Sequence, residues 1–152
     1  FERYGKGHKT FAALAFTIAG MPLVYSGQEA GMDKALEFFE KDSIKWGDIP
    51  LQDFYGKLLR LNRDNPALWN GEFGGKLTRL KTDNDKDVYA FSRKRDDHEV
   101  VVICNLKDAF QSIKFESVPA GDFKGLYDNE KLDLIGKNGL ELEPYGFHIF
   151  YK

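Results

Sequence analysis

The chain has 152 residues, 42% hydrophobic and 30% charged, with a formal net charge of −2. Thirteen Phe and seven Tyr supply ample apolar area to bury, which excludes a disordered chain, and the small charge with no Lys/Arg cluster leaves no electrostatic footprint for nucleic acid. The longest apolar-rich run, residues 11–25, is broken by Gly20 and Pro22 and falls short of the roughly 20 residues that span a bilayer, so no membrane partner is expected.

The chain opens on Phe1-Glu2-Arg3-Tyr4-Gly5, without an initiator Met or a signal-peptide pattern. Residue 1 is therefore expected to be an internal position of a longer protein, and the compartment stays open. Phe11, Leu14, Ala15 and Ile18 follow the spacing of a helix from about Lys6 to Ala19, stopped by Gly20. Met21 to Tyr25 has no polar alternation and reads as a buried strand of a parallel sheet. Residues 28–50 are loop-rich. Asp53 is the expected N-cap of the next helix, whose stripe is Phe54, Leu58 and Leu61 with Leu59 beside it, and Asn65-Pro66 ends it. From Leu77 the period becomes two. Strands are expected at Val88 to Arg93, Val100 to Asn105, Gln111 to Phe115, Phe123 to Tyr127, Leu132 to Ile135, Leu140 to Leu142 and Phe147 to Tyr151. Turn signals such as Arg95-Asp96-Asp97 and Pro144-Tyr145-Gly146 separate them, the pattern of an antiparallel sandwich. Cys104, the single cysteine, excludes an internal disulfide or a cysteine metal cluster and reads as a small buried hydrophobe.

The order helix, strand, loop, helix is the grammar of a parallel α/β unit. The segment Gly20-Met21-Pro22-Leu23-Val24-Tyr25-Ser26-Gly27-Gln28-Glu29 resembles the eighth-strand motif of α-amylase family glycoside hydrolases: Gly, any residue, Pro, an apolar run, Tyr, then Gly and an acidic end. Residues 11–18 resemble the family's seventh barrel helix, and 54–63 with Asn65-Pro66-Ala67-Leu68 its eighth helix and the step into a sandwich. Residues 87–93, 100–105 and 145–150 resemble strands of that sandwich. The implied fold class is α+β as a fragment: the last α/β units of a (β/α)8 barrel (residues 1–73), then an antiparallel β-sandwich (residues 74–152). The implied parent is a retaining glycoside hydrolase or transglycosylase acting on α-linked glucans such as starch and maltooligosaccharides. Its catalytic carboxylates would follow strands upstream of Phe1, so no residue here takes a catalytic role and the isolated chain is expected to be inactive. Expected partners are the rest of the barrel and, through the parent, the glucan, with self-association of the fragment also expected. No cofactor is assigned to this chain; calcium in the parent finds no support in its residues.

Gln28 and Glu29 stand where a barrel's carboxyl-end loop faces substrate, and each reads either as a sugar contact or as a brace of the loop. Trp46 is a candidate sugar platform, while Trp69 is expected to be buried at the step between domains. Glu37, Glu40 and Asp42 lack the spacing of a metal loop, and His8, His98 and His148 share no ligand spacing, so no metal site is expected. The sandwich is expected to stabilise the barrel; the alternative is a non-catalytic carbohydrate-binding or structural module, with Tyr127, Tyr145 and Tyr151 as candidate contacts.

Overall fold

The structure, a computed structural model, describes residues 4–37, 39–128, 131–132, 135 and 138–152. Two helices precede seven short strands. Helix α1 is His8–Thr17, entered through a 3-10 turn at Gly5–Gly7, and α2 is Gln52–Asp64, followed by 3-10 turns at Pro66–Leu68 and Gly71–Phe73. The strands are β1 Lys76–Arg79, β2 Val88–Arg95, β3 His98–Asn105, β4 Gln111–Ile113, β5 Lys124–Gly125, β6 Leu140–Leu142 and β7 Phe147–Tyr151. Five of them form an antiparallel sheet in the order β1-β2-β3-β7-β5, and β4 pairs with β6 in a second, two-stranded sheet.

The result is three layers: two helices, the five-stranded sheet and the small sheet. Side chains alternate across a strand, so each strand of the central sheet feeds two cores. Phe91, Val100, Val102, Cys104 and Ile149 pack toward Ala13, Phe16, Leu58 and Leu61 of the helices. Val88, Ala90, Val101, Ile103 and Phe150 pack toward Ile113, Leu140 and Leu142 of the small sheet. Burial on both faces explains the uninterrupted apolar run of β3, and Cys104 lies inside it, its thiol pKa pushed up by burial. The β2–β3 hairpin closes through Asp96, at φ 53, a left-handed conformation that Asp tolerates.

Several expectations change. Met21–Tyr25 forms no regular element and pairs with no strand among the described residues, and it is not buried: Met21 is 82% exposed, Leu23 75% and Tyr25 59%. An apolar run becomes a buried strand only with neighbours on its edges, and the sheet formed here lies elsewhere. Leu132 and Ile135, expected in a strand, are helical and both buried; their i, i+3 spacing suits one face of a helix as well as a strand pair. The positions between them fall outside the described residues. Asp53 lies inside the first turn of α2, where Leu51 is the N-cap, and forms an ion pair with Lys57 at 3.2 Å. Leu59 points outward, whereas Asn65 ends α2 as expected: its side chain accepts from Ala67 N at 3.0 Å and donates to Lys152 O at 3.1 Å. Trp69 is 43% exposed because its neighbour Leu68 takes the buried position; its indole N–H donates to Arg63 O at 3.1 Å, closing the last turn of α2.

One charged residue ties the layers together. Arg93 shares the helix-facing side of β2 with Phe91 and is buried, with no carboxylate beside it among the described residues. Its guanidinium donates instead to five carbonyls: Gly75 O at 3.1 Å, Thr17 O at 3.3 Å, Ile18 O at 3.1 Å, Leu68 O at 3.3 Å and Trp69 O at 2.8 Å. Two of these belong to the end of α1, where unpaired carbonyls and the helix dipole favour a cation. Burial lowers the Arg93 pKa, yet an arginine stays charged. Gly74 makes the approach feasible, since a Cβ there would lie 1.8 Å from Trp69 O and 2.6 Å from an Arg93 nitrogen. Arg93→Met keeps the length but strands these carbonyls, at about 1–3 kcal/mol for each one that water cannot reach. We expect Arg93→Met and Gly74→Ala each to lower Tm by roughly 10 °C in thermal unfolding; a shift within experimental error for either would contradict the clamp.

Candidate functional site

The candidate site is the loop that leaves α1. The helix closes with Ile18 N donating to Leu14 O, and Gly20 at φ 141 redirects the chain into the apolar run. Val24 packs back on the helix-side core, while Met21, Leu23 and Tyr25, two residues apart, face outward. A turn follows, with Gln28 N donating to Tyr25 O at 3.0 Å and Gly27 at φ 94, a conformation that favours glycine.

Gln28 braces this turn. Its side-chain oxygen accepts from Tyr25 N at 2.7 Å. Glu29 is fastened through its backbone, whose carbonyl accepts from Leu51 N at 3.1 Å and so ties the loop to the start of α2. One Glu29 carboxylate oxygen is buried and has no hydrogen-bond partner among the described residues. The nearby Tyr55 hydroxyl has its pKa raised, chiefly by burial and secondly by the negative charge of Glu29. Beside them lies a hollow of about 550 Å³, lined by Phe11, Ala15, Ile18, Gln28, Met32 and Tyr55 among others. Trp46 is 56% exposed in an irregular stretch, and no hydrogen bond or ring contact joins it to Gln28 or Glu29. The three candidates therefore do not form one constellation. Among the described residues no set of three His, Cys, Asp or Glu side chains converges to hold a metal. Asp42 instead organises its own loop: Lys34 at 2.7 Å and the backbone N–H groups of Glu37 and Ser43 hold its pKa down to about 2.

Sequence reasoning missed Tyr55, hidden inside the α2 stripe next to Phe54, and Arg93. The signal for Arg93 was a charge at the face-sharing position after Phe91, with the pair Gly74-Gly75 nearby in the chain. Tyr127 is now explained as packing: its ring stacks on Phe54 at 5.5 Å, and its hydroxyl donates to Phe54 O at 2.8 Å.

The fold defines the class. The antiparallel half is a C-terminal β domain of the amylase kind, and residues 77–149 match the family model described as Maltogenic Amylase, C-terminal domain. This part of the chain is thus similar to the C-terminal domain of amylase-family glycoside hydrolases. It is 23% identical over 150 residues to "Alpha-amylase 2" of Dictyoglomus thermophilum, covering 90% of this chain and 24% of that protein. It is 31% identical over 123 residues to "Amylopullulanase" of Thermoanaerobacter thermohydrosulfuricus, covering 76% of this chain and 7% of that protein. In structure it is similar to a noncanonic maltogenic α-amylase from Thermotoga neapolitana, with TM-score 0.69 and 13% identity over 97% of this chain and 34% of that one. The chain therefore spans a quarter or less of the length of these two sequence relatives.

Tyr55 and Tyr127 both have raised pKa values, so their contribution to stability is complete below about pH 10 and is lost as pH rises through the folded-state values. Glu29→Gln removes one of the causes at Tyr55. We expect the Tyr55 pKa to fall while staying above its ordinary value, read by following the Tyr55 ring resonances through an alkaline titration. An unchanged Tyr55 titration would show that the Glu29 carboxylate does not act on this hydroxyl.

Proposed function

We propose that this chain is the C-terminal end of an α-amylase-like glycoside hydrolase that cleaves or transfers α-linked glucans with retention. Residues 1–73 end the catalytic barrel and residues 74–152 form the sandwich that stabilises it. The observation that carries this reading is the unpaired segment Met21–Tyr25. A run that joins no sheet among the described residues, with apolar side chains turned outward and set between two helices, fits a barrel strand whose neighbours lie in the longer protein. The names of the sequence relatives, amylase and amylopullulanase, support an α-glucan as substrate.

A retaining glycosidase needs two carboxyl groups roughly 5–5.5 Å apart, one nucleophile and one acid. Glu29 is a single carboxylate, and the acidic groups at 37–42 are organised around Asp42 instead. The chemistry therefore comes from residues of the parent, and this chain supplies the last barrel wall. Gln28 and Glu29 hold the loop at the strand's carboxyl end, where they shape the rim of the substrate cleft, and Trp46 lies farther along the same connection.

Reducing-sugar release from soluble starch and maltooligosaccharides tests this directly. The chain alone is expected to release none, and the protein read from the same frame with its upstream residues is expected to be active. Starch hydrolysis by the 152-residue chain itself, or inactivity of the longer protein on every α-glucan, would overturn the reading.

A further inference from the structure

A second hollow, away from the strand, joins the two halves of the chain. It measures about 550 Å³ and lies between the outer face of α2 and the sheet edge near β5 and the end of β7. Its apolar lining is Leu61 of α2, Leu126 just after β5 and Tyr151 of β7, and its polar lining includes Arg60 and Asp64 of α2 and His98 at the start of β3. Arg60 and Asp64 stand one helical turn apart on the same face.

The polar groups divide into committed and uncommitted. Lys57 pairs with Asp53 at 3.2 Å and lies 5.5 Å over the Tyr127 ring; Lys152 pairs with Glu99 at 3.4 Å and donates to Ala120 O at 3.0 Å. Arg60 and His98 make no hydrogen bond or ion pair with the described residues. Asp64 accepts two bonds from Arg63, at 2.6 and 2.9 Å, which lower its pKa and keep it an anion with lone pairs to spare.

We propose that this hollow binds a short neutral oligosaccharide, α-linked on the reading given above for the parent. A sugar hydroxyl both donates and accepts, so a sugar site needs donors and an acceptor around an apolar surface that meets the ring C–H groups. Arg60 and His98 donate, Asp64 accepts, and Leu61, Leu126 and Tyr151 supply the surface. A small anion fits less well: it uses only donors, Asp64 repels it, and it leaves most of the volume empty. The size lies within the roughly 300–1,000 Å³ of small-molecule sites. Such a site, lined by no residue of the segment 20–29, would hold substrate near the enzyme without taking part in the chemistry.

The test is an amide NMR titration of this chain with maltotriose, cellotriose and inorganic phosphate in turn. The expected result is saturable shifts at Leu61, Leu126 and Tyr151 with maltotriose at millimolar concentration. Arg60→Ala and Asp64→Asn, both at exposed positions, should weaken this roughly tenfold, about one charged hydrogen bond, with little change in Tm. Shifts at the same residues with cellotriose alone would leave the sugar site standing and sink the α-glucan reading. No saturable shift with either sugar, or a stronger response to phosphate, would overturn the site itself.

Discussion

The Arg93 guanidinium is the constraint on which the rest of this structure depends. It is buried between a sheet and two helices, and no carboxylate among the described residues balances it. A charge removed from water in this way is tolerable only if its donors are used, and here the acceptors are carbonyls at the end of α1, after α2 and at the entry to β1. Carbonyls at helix ends lack intrahelical partners, so one side chain satisfies several of them while being satisfied itself. The arrangement fixes the angle at which the helical half meets the sheet, and Gly74 and Gly75 hold no side chain where the backbone closes around the guanidinium.

From that clamp the course of the next segment follows. With the end of α1 held, the chain must leave through Ile18 to Gly20 and run along the outside of the helix-side core, anchored by Val24. The outward row of Met21, Leu23 and Tyr25 is thus displayed on a rigid base. The loop after it is closed at both ends, by the Gln28 side chain at Tyr25 and by the Glu29 carbonyl at Leu51. Asn62 reinforces the joint by donating to Phe16 O at 3.2 Å. The helical half and the five-stranded sheet therefore share one core.

Much of this was legible because local periodicity carries it. The i, i+3, i+4 pattern of residues 11–18 and 54–61 placed both helices, and the alternation from Val88 and the apolar run from Val100 placed the central strands. Asn65-Pro66 and Asp96-Asp97 marked their boundaries through backbone chemistry alone. What local pattern cannot encode is pairing. Met21–Tyr25 has the composition of a buried strand, but its burial depends on neighbours that sequence composition does not place. Leu132 and Ile135 fit either period, and tertiary packing chose the helix. Gln28 and Glu29 came from a motif, whereas Tyr55, whose hydroxyl feels the Glu29 charge, comes from a distant helix. Arg93 was invisible as a clamp because its five acceptors are backbone carbonyls, which leave no trace in residue types.

Hydrogen exchange resolved by residue, comparing Arg93→Met with the unaltered chain, tests the central claim most directly. If Arg93 docks the helical half onto the sheet, amides of α1 and the following residues 18–25 lose protection far more than those of β2, β3 and β7, which keep their ladder. Equal loss of protection across helices and sheet, or no loss in α1, would contradict it.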